Sequence, residues 1–135
     1  MTKSDLEQLT LLNAEIARDL ERLQELHALL TGSTSSISGL PHIGLLRTND
    51  KIGDFVSLIE VLKQEIRERV LESATRYVQI WAYINAVHDP LVRQFIALRY
   101  IDSLPWQQVA NKIGGGLSAD HARIILDRYL AANVS

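Results

Sequence analysis

The residue types best suited to chemistry lie near the C-terminus. Gln107, Lys112, Ala119, Asp120, His121, Arg123 and Arg128 combine forked and compact cations, an amide, an imidazole and one carboxylate within two helical stretches. An arginine can donate twice to a guanine edge or hold a phosphate oxygen, and an imidazole can donate to either. An exposed glutamine or lysine suits phosphate oxygens, and an aspartate beside a polyanion is useful only where it accepts from a cytosine amino group. The set therefore fits recognition of double-stranded DNA. Elsewhere the chain offers little for catalysis. Its four histidines (His27, His42, His88, His121) are far apart, and there is no cysteine to act as nucleophile or thiolate ligand. Gly114-Gly115-Gly116 precedes a helix but lacks the lysine and hydroxyl of a phosphate-binding loop, and so reads as a turn. Glu65, Glu68 and Glu72 lie among Lys63, Arg67, Arg69 and Arg76, as on a solvated helix face. No enzyme, metal site or cofactor is expected.

The C-terminal elements must hold the candidate set in place. Trp106, Val109, Ala110 and Ile113 form the apolar stripe of a short helix, with Asp102-Ser103 as its cap and Pro105 in its first turn. The glycines end it. Ser118 then caps a last helix whose inward residues are Ala122, Leu126, Tyr129 and Leu130. A preceding helix from Pro90 carries Leu91, Phe95, Leu98 and Ile101 on one face. Two steeply crossing helices with a small residue at their closest approach, braced by a third, are the plan of a helix-turn-helix. Its second helix would present Ala119, Asp120, His121, Arg123 and Asp127 outward.

Two longer helices come first. Leu6, Leu9, Asn13, Ile16, Leu20, Leu23, His27 and Leu30 alternate steps of three and four, a heptad seam on a helix ~40 Å long. Ser4 or Asp5 can cap its start, and Gly32 can end it. A polar residue at a core position such as Asn13 tends to fix register and oligomer number. The seam predicts pairing between chains, a dimer in the first instance, through Leu9, Asn13, Ile16, Leu20, Leu23, His27 and Leu30. The other reading is one amphipathic helix of a monomeric bundle with Asn13 facing water. Leu11, Leu12, Leu26 and Leu29 widen the apolar face toward a second helix. Residues 32–50, rich in serine and glycine, read as a flexible linker. The rhythm then returns from Ile52 to Val87, and His88-Asp89-Pro90 stops it. The division is 1–31, 32–50, 51–88 and 90–135, and the class is all-α.

Composition agrees. The 135 residues are 47% hydrophobic and 22% charged, ordinary for one globular domain. Net charge is −2, so any polyanion-binding surface must be local. Residues 1–31 carry three basic and six acidic groups, and residues 91–135 five basic and three acidic. No apolar run approaches the ~20 residues that cross a bilayer, and the opening is acidic and amphipathic rather than signal-like. A soluble intracellular protein is expected.

The segments Phe95-Ile-Ala-Leu-Arg-Tyr-Ile101 and Pro105-Trp-Gln-Gln-Val-Ala-Asn-Lys-Ile-Gly114 resemble the start of sigma-factor region-four domains, with Ser118 through Leu130 similar to the recognition helix. The whole layout is similar to small phage and prophage transcriptional regulators of the RinA and ArpU kind. The likeness rests on the Thr31–Pro41 linker, the Asp50–Asp54 helix opening and the region-four-like tail. It covers residues 28–130. The resemblance implies DNA binding and transcription control, with RNA polymerase or another host or phage protein as a further partner. The Gly114–Leu117 turn is longer than in that pattern, Ala122 stands where valine is usual, and Asp120 and Asp127 offset Arg123 and Arg128. An adaptor or inhibitor that binds protein instead of DNA is the alternative, and a DNA-packaging recognition subunit a third.

Overall fold

The computed structural model describes residues 1–32 and 49–133, so most of the 32–50 linker lies outside the described residues. Five helices follow in order: α1 (Lys3–Leu30), α2 (Asn49–Ala86), α3 (Pro90–Ile96), α4 (Trp106–Ile113) and α5 (Ala119–Ala132). The described residues contain no strand, and none of their helices is long and apolar enough to cross a membrane. The class is all-α, as the periodicity predicts.

The chain divides into two compact units, and the division cuts both long helices. One unit joins residues 1–13 to 73–135; the other is residues 14–72.

In the first unit α1 starts with a reciprocal cap. The Thr2 hydroxyl accepts from the Asp5 N–H at 3.2 Å, while the Asp5 carboxylate accepts from the Thr2 N–H and hydroxyl, each at 2.9 Å. This satisfies donors that a helix start leaves orphaned. Thr2 is therefore the cap, with Asp5 its partner three residues on, where the sequence offered Ser4 or Asp5. Leu6 and Leu9 from α1, Ile80 and Ile84 from the end of α2, Val87 just beyond it, and Val92, Phe95 and Ile96 from α3 meet Tyr100, Val109, Ala122, Leu126 and Leu130 in one apolar core. Burying a side chain of this size contributes about 2–3 kcal/mol.

The corner between α2 and α3 follows from Asp89-Pro90. Asp89 is extended (φ −80°, ψ 114°), as a residue before proline must be, and its carboxylate caps α3 by accepting from the Leu91 N–H at 2.9 Å. Arg93 ties the corner by donating to the carbonyls of Val87 and His88 at 2.7 and 3.2 Å.

Beyond Ile96 the helix widens into a π turn over Ala97–Ile101, closed by the Asp102 N–H on the Ala97 carbonyl at 2.9 Å. The extra residue per turn rotates the buried face. Val92, Phe95, Ile96 and Tyr100 are buried, while Leu91, Leu98 and Ile101 pack only at the rim. Of the expected face, Phe95 alone is at the centre. Ser103 takes the left-handed conformation (φ 57°), and the Leu104 N–H returns to the Leu98 carbonyl at 3.1 Å. Asp102 and Ser103 thus close this helix instead of capping α4, whose N-cap position is Pro105 with no side-chain bond.

In the second unit the later part of α1 runs beside the first half of α2. Among its described residues Ile59 and Ile66 are the buried apolar ones, and Asp19 is buried as well. The Asp19 carboxylate accepts from Arg69 at 2.6 Å and Arg22 at 2.9 Å, and Arg69 also pairs with Glu15 at 3.4 Å. Burial alone would lower the Arg69 pKa. Glu15 and then Asp19 outweigh it and hold the guanidinium above its ordinary value.

Candidate nucleic-acid interface

The surface carrying the candidate set is built on α4 and α5. Ala110 on α4 and Ala122 on α5 are buried, and the two helices pack against one another. Trp106 at the start of α4 stacks edge-on against Phe95 of α3, with ring centroids 6.2 Å apart. The Arg99 guanidinium lies over the Trp106 ring at 5.4 Å and donates to the Leu104 carbonyl at 3.0 Å. Arg99 belongs to the basic tail and to the segment resembling region four, but its work here is positional: it fixes the approach to α4 by a cation–π contact and a charge-assisted hydrogen bond. Charge arithmetic along the sequence cannot distinguish that role from a ligand-facing one.

Gly114, Gly115 and Gly116 all have φ near +70° to +80°. Three left-handed residues in a row demand glycine, which explains the run better than phosphate binding does. Ser118 caps α5, its hydroxyl accepting from the His121 N–H at 3.1 Å, as the sequence predicts. Beyond the cap, Asp120, His121 and Arg123 are exposed, Ala119 is half-buried, and Ala122, Leu126 and Leu130 turn inward with Tyr129 at the rim. Gln107, Lys112 and Arg128 are exposed as well.

Electrostatics modifies this surface. Arg123 pairs with Asp127 at 3.4 Å one turn on, and Asp127 also receives Lys3 at 3.3 Å. Asp127 is therefore half-buried between two cations instead of standing outward as expected. Gln107 donates to Asn111 at 3.2 Å on the same face of α4. Lys112 and Arg128 form no ion pair among the described residues. What the arrangement offers is donors: two uncommitted cations, a third held by an i,i+4 pair of small worth, and an imidazole at the head of a capped helix. Among the described residues no three acids or histidines converge on a metal position.

The residues assigned to an intermolecular seam lie differently. Leu9 is 1% exposed in the chain's own core, which corrects its assignment to contact with a second chain. Asn13 is exposed and its side-chain oxygen accepts from the Ser73 hydroxyl at 2.6 Å, so its partner is within the chain. Ile16, Leu23 and Leu30 are half-buried, while Leu20 and His27 are exposed. The heptad is real, but one helix carries more than one neighbour, and spacing alone does not say which row meets which. Asp19 and Arg69 were not legible, because the pair spans fifty positions and Asp19 lies outside the seam.

No family model matches the chain, and neither a curated protein nor a solved structure matches it.

Proposed function

We propose that this chain is a DNA-binding transcriptional regulator of phage or prophage type, acting in the bacterial cytoplasm, oligomeric through its long helices and contacting duplex DNA with α5. The observation that supports the reading is the exposed leading turn of α5. Asp120, His121 and Arg123 follow the capping Ser118, on a helix packed against α4. Under this reading Arg123 and His121 face base edges, while Lys112, Arg128 and Gln107 hold phosphates. The likeness to RinA/ArpU regulators and to sigma region four points the same way and adds RNA polymerase as a partner.

The test is fluorescence anisotropy on random-sequence duplex over a salt series. Two phosphate-binding cations per chain, Lys112 and Arg128, give a log–log slope of about −2, a roughly 12-fold loss of affinity between 50 and 200 mM salt. Lys112→Ala should weaken all sequences alike and flatten the slope by about 1. Absence of binding at low salt, or a slope that ignores Lys112 and Arg128, overturns the reading. A protein-directed adaptor is the second reading. It is favoured by the Arg123–Asp127 and Lys3–Asp127 pairs, which offset charge on α5.

A further inference from the structure

Among the described residues of the unit 14–72, the buried apolar side chains are Ile59 and Ile66, whereas Leu20, Ile52, Val56, Leu58, Val61, Val70 and Leu71 are exposed large apolar residues. The other unit has the opposite balance: fourteen buried apolar residues against exposed Leu11, Tyr77 and Val78. On the first half of α2 the exposed apolar residues flank the buried ones on more than one side. A helix apolar over so much of its circumference belongs inside a bundle of more than two helices.

The pattern on α2 also says what covers it. Val56, Glu60, Lys63, Arg67 and Leu71 follow at steps of four, three, four and four, which places them on one stripe. Glu60 is 64% and Leu71 70% exposed; Val56 and Arg67 are exposed too. The stripe reads apolar, negative, positive, positive, apolar, and its ends are equidistant from a point midway between Lys63 and Gln64. Laid antiparallel on itself about that point, it sets Glu60 against the partner's Arg67 and Val56 against the partner's Leu71, each contact occurring twice. Lys63 then lies beside the partner's Lys63 at the two-fold, and each keeps its own counter-charge, since its ammonium already lies 3.5 Å from Glu60. Such self-complementarity is what a two-fold interface requires.

We infer that the α2 stripe from Val56 to Leu71 is a homodimer interface, antiparallel about Lys63–Gln64, and that a second copy of this chain completes the core of residues 14–72. The inference rests on the oligomeric part of the function proposed above and moves its surface from the α1 seam to α2.

The experiment measures the mass of the full chain by sedimentation, without DNA. The wild type is expected to be a dimer. Glu60→Arg or Arg67→Glu alone should each raise the dimer dissociation constant roughly tenfold or more, by replacing two opposite-charge contacts with two like-charge ones. The swap Glu60→Arg with Arg67→Glu should restore it. The chain has no cysteine, so Lys63→Cys should give a disulfide-linked dimer where Val78→Cys does not. A monomeric wild type overturns the inference. So does a dimer that ignores both reversals but dissociates with Leu20→Glu; that result leaves an oligomeric regulator standing and moves its interface to α1.

Discussion

Replacing Arg69 should cost more than replacing Asp19, its own partner. The Asp19 side chain is 6% exposed and is held by Arg69 at 2.6 Å and Arg22 at 2.9 Å. Removing one partner of a buried ion pair typically costs 3–5 kcal/mol, because a charge is left without compensation. Arg22 stays in place after Arg69→Met, which reduces the expected loss to about 2–3 kcal/mol. With Asp19→Ala the surviving charge is Arg69, 30% exposed and still 3.4 Å from Glu15 and 3.6 Å from Glu65. That variant should lose only about 1 kcal/mol. Asp19→Leu removes the acid and puts an apolar side chain of similar size at a buried position, and should be neutral or stabilising by about 1 kcal/mol. Urea unfolding followed by far-UV circular dichroism measures all three. Both tryptophans, Trp81 and Trp106, belong to the unit of residues 1–13 and 73–135, so their fluorescence follows that unit alone. A shift in dichroism larger than the shift in fluorescence would locate the damage in residues 14–72. An Asp19→Ala loss equal to or greater than that of Arg69→Met would refute the claim that an uncompensated buried carboxylate is what Arg69 prevents.

Backbone conformation supplies a second expectation. Ser103 sits at φ 57° without being glycine, so Ser103→Gly should stabilise by about 1 kcal/mol in thermal unfolding. Gly115→Ala should destabilise by a similar amount although no atom lies within 4 Å of the added carbon, since its φ of 68° is the whole cost. A third concerns acid. The Thr2 N–H, and after it the Thr2 hydroxyl, hold the Asp5 carboxyl below its ordinary 3.8. A group with a lowered folded-state pKa stabilises above its unfolded value and loses that contribution as pH falls through the folded one. Asp5→Asn should therefore be the less stable protein at neutral pH, and its deficit should shrink as pH drops below 3.8, as measured by unfolding across an acid titration.

Much of the fold is written locally. The α2 rhythm, the Asp89-Pro90 stop, the Ser118 cap and the inward row Ala122–Leu126–Leu130 all depend on neighbours within a turn or two, which spacing reveals. The exposure of His121 and Arg123 follows from the same row. Other features depend on geometry that spacing does not carry. The π turn at Ala97–Ile101 brings Tyr100 to the buried face where a constant period places Leu98 and Ile101. The left-handed Ser103 turned an expected helix start into a helix end. Arg99 and Asp127 owe their roles to partners in other elements, Trp106 and Leu104 for one and Lys3 for the other. The Asp19–Arg69 pair is longer-range still.

Leu6 and Leu9 belong to the same apolar cluster as Phe95 and Leu126. The smallest autonomous piece bearing α5 is therefore discontinuous in sequence, and cutting the gene at residue 73 or 90 cannot isolate it. A fragment starting at residue 73 would lack two leucines from its middle, a deficit of roughly 5 kcal/mol, comparable with the whole stability of a small domain, and one starting at 90 would lack Ile80, Ile84 and Val87 as well. A minimal version must carry residues 1–13 with it, either by circular permutation or by a short linker joining that peptide directly to Ser73.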